Sequence, residues 1–313
     1  MKKLFTILAV AAAVVACQKN EIVSLDKGEA ISFGNAFVEN SVRAAVDPSY
    51  SAKNIESLLV YGTVNNQNIF DAAIVSKTGD YGSIWSCKDA SGNDINQYWI
   101  AGANYKFVGI VDGVKDGVTT TAVDSTTKMP TTITYNADGV TDLLCATVER
   151  LNNTNYDTVA FSFTHLLSKV NFTVTNESTD ASGYSFVVKN IKLVGNKTGV
   201  YDVVAGAWDT DEFTIDETNL PEITVASGAA SNELTTEVLF LPGQYVITFD
   251  VDIIYNDEVI TTTSYPATTG AYTYTLDAAK AYNFNVDVAV GQKINFTVSA
   301  QPTWANGGTQ TLN

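Results

Sequence analysis

The chain has 313 residues, 45% of them hydrophobic and 17% charged, with a formal net charge of −16 and a mean hydropathy of +0.05. About 300 residues is more than one hydrophobic core usually covers, and two domains of ~140 residues fit the length better. The acidic balance argues against nucleic acid or an anionic lipid surface as a partner, and the acids are scattered as on a solvated exterior.

At the N-terminus, Lys2 and Lys3 precede an apolar run over 4–15 and a small-residue cleavage point at Ala16-Cys17, the layout of an export signal. The run is too short to span a bilayer, which takes about 20 apolar residues. A cysteine directly after the small residue resembles a lipoprotein signal. That resemblance implies that residues 1–16 are removed and that Cys17 is diacylated, tethering the new N-terminus to a bacterial envelope membrane. Two acyl chains anchor stably where one does not, at ~0.8 kcal/mol per buried methylene. No later apolar run reaches membrane length.

Beyond the signal, period-two alternation predicts strands over 31–38, 57–64, 69–75, 104–111, 159–164, 169–175, 185–194, 237–241, 246–255, 259–265, 282–290 and 294–300. The clearest puts Ile247, Phe249, Val251, Ile253 and Tyr255 on one face, with Thr248, Asp250 and Asp252 among those on the other. Turn clusters at 90–94, 136–139 and 226–228 separate the runs. No stretch holds a helical period for more than about two turns. Many short strands with turns about every ten residues imply an all-β chain of consecutive Greek-key β-sandwiches. The junction is placed near 164–168.

Catalytic patterns are mostly missing. His165 is the only histidine, so a nucleophile-histidine pair or a two-histidine metal site would have to be built around it alone. Its strand-like apolar setting, from Phe161 to Phe172, reads as that of a structural histidine. There is no GxSxG, HExxH or phosphate-binding glycine loop. Asp89-Ala-Ser-Gly-Asn93-Asp94 lacks the sixth-position glycine and closing glutamate of a calcium loop and reads as a turn. The chain is read as a non-enzyme without cofactor or metal. For Cys87 and Cys145 two readings stay open, because an oxidising exterior permits a disulfide and sequence separation says nothing of proximity: one bond, or two buried free thiols.

Several segments carry a family likeness: Gln97-Tyr-Trp99-Ile with Asn104-Tyr-Lys-Phe107, Thr141-Asp-Leu-Leu144, and Phe161-Ser-Phe163-Thr-His165-Leu-Leu-Ser-Lys169-Val170. Leu239-Phe-Leu-Pro242-Gly243, Leu276-Asp-Ala-Ala-Lys280-Ala-Tyr282-Asn-Phe284 and a late Trp304 continue it. Together, in this order, they resemble the fimbrillin family of Bacteroidales lipoproteins over about 200 residues; Ala279 departs from the glycine more usual in its turn.

The resemblance implies subunits of type V pili with two transthyretin-like β-sandwich domains, exported as outer-membrane lipoproteins and polymerised outside the cell. It implies a signal peptide over 1–16, a propeptide with the first strand over 17–43, an N-terminal sandwich over 44–164 and a C-terminal one over 165–313. It places a protease cut between Arg43 and Ala44, after the strand 31–38. Only Arg150 is a second arginine, also in a loop-like setting, and Lys53 would be a decoy for a less selective protease.

Loss of the first strand would leave a groove that accepts another strand. The expected donor is the C-terminal segment, with Ile294, Phe296, Val298 and Ala300 alternating and Trp304 continuing it. Burial of the three large side chains contributes roughly 5–9 kcal/mol before ordering costs. Expected partners are other copies of this chain, related pilus subunits, the outer membrane through the lipid before cleavage, and a host protein or glycan. Tip and lipid-retaining anchor roles are alternatives within the family. The competing class is a surface glycan-binding lipoprotein, using Trp85, Trp99, Trp208 or Trp304 to stack on sugar. Asp124-Ser125-Thr126 and Asp157-Thr158-Val159 also resemble bacterial O-glycosylation triplets.

Overall fold

In the computed structural model, which describes residues 28–38, 55, 57–77, 85–111, 117–178, 183–235, 237–266 and 273–301, every regular element is a strand. In chain order these are β1 (Phe33–Val38), β2 (Ser57–Val64), β3 (Gln67–Lys77), β4 (Trp85–Lys88), β5 (Ala103–Val111), β6 (Thr119–Val123), β7 (Pro130–Asn136), β8 (Leu144–Asn153) and β9 (Val159–His165). There follow β10 (Ser168–Asn176), β11 (Tyr184–Asp202), β12 (Ala207–Leu220), β13 (Ile223–Val225), β14 (Ser231–Glu233), β15 (Val238–Phe240), β16 (Gly243–Tyr255), β17 (Glu258–Tyr265), β18 (Thr273–Leu276), β19 (Ala281–Val288) and β20 (Asn295–Gln301).

Local turn chemistry sets two of the hairpins. β2 and β3 turn at Asn65-Asn66, with φ of 47° and 64°, and β16 and β17 turn at Asn256-Asp257, with 49° and 67°. A two-residue hairpin turn needs φ above zero at both positions, which Asn and Asp tolerate. Ala279, in the turn before β19, also takes a left-handed φ of 59°, a conformation that suits glycine. Its amide donates to Leu167 O at 2.8 Å and ties the turn to the start of β10.

Seven strands form one sheet in the order β1-β9-β8-β5-β2-β3-β4, antiparallel throughout except for the parallel β1–β9 pair. One face buries Val60, Phe70, Val75, Phe107, Phe161 and Phe163. Gly62 lies under two of these rings: a Cβ there would stand 2.8 Å from Phe70 and 2.9 Å from Phe107. The other face, with Leu59, Tyr61, Val108 and Ile110, packs against Ile133, Tyr135, Leu166, Leu167 and Leu241. Because both faces are covered, β2 and β5 are buried almost residue after residue.

An eight-stranded sheet built on β11 and a five-stranded sheet built on β10 and β19 enclose a third core, which includes Phe172, Phe186, Tyr245, Phe249 and Phe284. Alternation does the sorting: Tyr282, Phe284, Val286 and Val288 all point inward from β19.

The chain passes from the seven-stranded to the five-stranded sheet between His165 and Ser168, beside the expected junction. β6 and β7 depart from a simple division there. They come from within 44–164, yet β7 pairs with the last residues of β11, from Thr198 to Asp202.

The disulfide reading is corrected by the sheet order. Between β4, which carries Cys87, and β8, which carries Cys145, lie β3, β2 and β5 at about 4.8 Å per strand. The two side chains also enter different cores, and both thiols are free.

Candidate functional site

β1 lies at one edge of the seven-stranded sheet and pairs in parallel with β9, Phe33 opposite Val159 and Gly34 opposite Ala160. A bulge interrupts its register between Gly34 and Phe37. β9 depends on this contact. Among the described pairs, β8 meets it only at Leu144–His165 and Cys145–Thr164, so Val159 to Phe163 take their ladder partner from β1. At the other side of β1 stands Trp85 of β4, whose ring comes within 3.7 Å of a Cβ built on Gly34. β1 thus fills a slot between the two ends of the sheet.

The slot is lined by aromatic rings. Phe33 is 6% exposed and lies 5.3 Å from Phe70, 5.9 Å from Phe107 and 6.1 Å from Phe161, the first two edge to face and the third stacked. Ile31 is buried beside it. Ser32 faces outward, its hydroxyl 3.1 Å from the Thr158 hydroxyl. The approach to β1 is zipped too: Ile31 N donates to Gln97 O at 2.8 Å, and Trp99 N donates to Glu29 O at 3.0 Å.

Arg150 braces this entrance. Its guanidinium stacks on the Trp99 ring at 4.9 Å and donates to the carbonyls of Asn155, Asp157 and Thr158 at 3.3, 3.0 and 3.1 Å. Burial pushes the Arg150 pKa down from its ordinary value, against the opposing charge of Asp157. The sequence alone offers Arg150 as a second arginine in a loop-like setting and Trp99 as part of the family likeness and as a platform for sugar. No short motif links positions 99 and 150; the signal was their shared proximity to the strand ends of β5 and β8, which only the register reveals.

At the far end of the chain, β20 is the edge strand of the five-stranded sheet and runs antiparallel to β19 without a bulge. Ile294, Phe296 and Val298 pack against the third core but remain half-buried, while Ala300 is exposed. Cys17, Arg43, Ala44 and Trp304 lie outside the described residues.

The remaining chemistry-bearing groups have structural surroundings. His165 is buried at the end of β9 with Nδ1 2.6 Å from Asp142 Oδ2. Asp89 folds the 89–94 loop on itself as a turn, accepting from Ser91 N, Asn93 N and Asn93 Nδ2, and the bonds from Asn93 lead in lowering its pKa. Burial pushes the Cys87 thiol up to about 11 and the Cys145 thiol up to about 12. Among the described residues no group of three or more His, Cys, Asp or Glu is placed to hold a metal ion.

A profile of the fimbrillin-like family matches residues 43–311. The chain belongs to the fimbrillin-like family. The fold of this fimbrillin is similar to that of a fimbrial protein from Bacteroides vulgatus, with a TM-score of 0.59 and 15% identity over 88% of this chain and 99% of the other. It is also similar to a protein named for cell adhesion from Bacteroides ovatus, with a TM-score of 0.51 and 15% identity over 89% of this chain and 98% of that one. No relative is found among curated proteins. The all-β sandwich architecture is the expected one. Membership makes the chain a fimbrillin-like protein.

Proposed function

We propose that this fimbrillin is a pilus subunit, exported as an outer-membrane lipoprotein on Cys17, cut after Arg43, and polymerised by strand exchange between copies. The observation that carries the reading is the contrast between its two edge strands. Ile31 and Phe33 sit at 8% and 6% exposure in the slot beside β9, whereas Ile294, Phe296 and Val298 of β20 are only half-buried where they lie. A cut after Arg43 detaches β1 from the rest of the chain and leaves β9 short of a ladder partner, which is costly for buried backbone groups. A β20 from another copy would gain burial in the slot, against the cover that Phe249, Tyr265 and Phe284 lose in its own subunit.

Two further observations support this reading. Arg150, the second of two arginines, is held by three carbonyls and an indole, which leaves Arg43 as the arginine for a protease to read. Three of the four tryptophans considered for sugar stacking pack against the protein. Trp99 is buried, Trp85 lies against Gly34, and Trp208 donates its indole N–H to Leu166 O at 2.9 Å. A stalk role is favoured by Arg43 over a lipid-retaining anchor; a tip role shares the cleavage but not the onward chain of copies.

The test is the N-terminal sequence and intact mass of the surface protein, with an unboiled gel. The expected result is a start at Ala44 and a ladder of multimers, abolished by Arg43→Ala and by deletion of 293–313. A lipidated start at Cys17, with monomer alone, would overturn the mechanism in favour of an anchor or a glycan-binding lipoprotein.

A further inference from the structure

β10 and β19 run parallel and stay in register over eight residue pairs, from Lys169 opposite Ala281 to Asn176 opposite Val288. Further bonds tie both ends of this ladder. At its start Ser168 Oγ donates to Asp277 O at 2.8 Å and Lys169 N to Lys280 O at 3.0 Å. At its finish Glu177 N donates to Val288 O at 2.8 Å and Val290 N to Ser178 Oγ at 3.1 Å. Between them the Thr173 hydroxyl donates to Asn283 Oδ1 at 3.1 Å. Val170, Phe172 and Val174 of β10 and Phe284, Val286 and Val288 of β19 are buried in the third core. β20 is held less firmly. Among the described strands its one ladder neighbour is β19, to which it lies antiparallel, and Ile294, Phe296 and Val298 stay half-buried.

Strand direction decides how tension acts on each of these pairs. β9 hands the chain to β10 through Leu166 and Leu167, so a pull from the first sheet enters β10 at Ser168. A pull on the C-terminal side enters β20 at Gln301, which lies at that same end of the sheet, opposite Ala281. Force at one end of an antiparallel pair loads its hydrogen bonds one after another, and β20 peels from Gln301 back towards Asn295. With β20 free, the pull arrives at Val288 of β19, the end of the ladder farthest from Ser168. Parallel strands drawn by opposite ends load all their bonds together, and their close-packed side chains have to slide through the core at the same moment.

We propose that β10 and β19 form a tension clamp: a pull on the C-terminal end strips β20 alone, and the clamp then keeps the second sandwich closed with β20 extended. The use of such a clamp rests on the pilus reading above, in which a subunit carries tension between its neighbours. The clamp itself follows from this chain's own strand order. It lets residues 289–300 be drawn out, about 40 Å of chain at about 3.5 Å per residue, without opening the core behind them.

Pulling the uncut monomer between chosen cysteines tests the clamp. In a Cys17→Ala, Cys87→Ala chain, with Cys145 left buried, handles are attached at exposed positions. The first pair is Thr164→Cys with Gln292→Cys, which draws the ladder by opposite ends. The second is Glu177→Cys with Gln292→Cys, which parts it at one end, where the bonds yield in turn. The third is Thr164→Cys with Ala300→Cys. Each variant is first shown to keep the parent circular dichroism. Forced unfolding then reads the barrier along each direction of the same fold. The expected rupture force is several-fold higher for the first pair than for the second. The third pair should give two events, a low-force step that frees about 40 Å of chain and then rupture at the force of the first pair.

Equal rupture forces for the first two pairs would overturn the clamp. So would a third-pair trace in which β20 and the sandwich give way in a single event. Both results are read on a monomer, so they overturn the clamp without touching strand exchange, which the unboiled gel judges separately.

Discussion

Substituting Phe33 by alanine tests whether β1 is a wedge or an ornament of the sheet. Phe33 is 6% exposed and has two edge-to-face ring partners and one stacked partner. Large-to-small changes at such sites cost about 3–5 kcal/mol, and edge-to-face pairs add about 0.5–1.5 kcal/mol beyond area burial. The upper half of the range is therefore expected. Phe296→Ala is the matched comparison, because the same side chain is only half-buried in β20; roughly half the cost is expected there. Both changes are made in an Arg43→Ala chain, so that β1 stays attached, and stability is read from urea unfolding by tryptophan fluorescence and far-ultraviolet circular dichroism. Separate transitions for the two halves are resolved rather than averaged. Ser32→Ala, at an exposed hydroxyl, is the control and should cost under about 1 kcal/mol. A Phe33→Ala cost below about 1 kcal/mol, or no larger than that of Phe296→Ala, would refute the account of the slot.

Other expectations follow from single residues. Ala279→Gly should stabilise the chain by about 1 kcal/mol, since glycine takes the left-handed φ of 59° without the Cβ penalty; a neutral or destabilising change in urea midpoint would contradict this. Acid should weaken the fold through Asp250, Asp124 and Asp89. Their carboxyls are held below the ordinary range, Asp250 first by the Ser264 hydroxyl, Asp124 first by the Thr127 amide and Asp89 first by the Asn93 side chain. A depressed folded pKa gives stability that is present above the unfolded value of about 3.9 and lost as pH falls through the folded one. The urea midpoint should thus hold from about pH 7 to about pH 5 and fall below about pH 4, with a shallower fall in Asp250→Asn. Cys87 and Cys145, with thiols pushed up to about 11 and about 12, should resist a thiol reagent at neutral pH and both react in urea without prior reduction. A need for reductant would restore the disulfide.

Much of the strand content was legible because alternation is a local signal. The run from Ser57 to Val64 was read to the residue, and those beginning near Tyr245, Tyr282 and Asn295 to within a few. β12 was not legible. Its fourteen residues, rich in Asp and Glu, are exposed on both faces over most of their length, so no apolar period marks them. They form a strand because β11 offers a ladder, and their charges guard an outer edge. β4, β6 and β18 were missed for a related reason, being four or five residues long and set by their partners.

Sequence by itself determined the alternating faces, the turn clusters between them and the family, because each resides in neighbours along the chain. Tertiary structure decided which edge each segment occupies and how deeply. Nothing local distinguishes Phe33, sunk among three rings, from Phe296, left half-covered at an edge. Nor could spacing tell that Arg150 braces Trp99, or that Cys87 and Cys145 lie in different cores. Burial and pairing depend on strand order, and strand order is set by contacts between residues far apart in the chain.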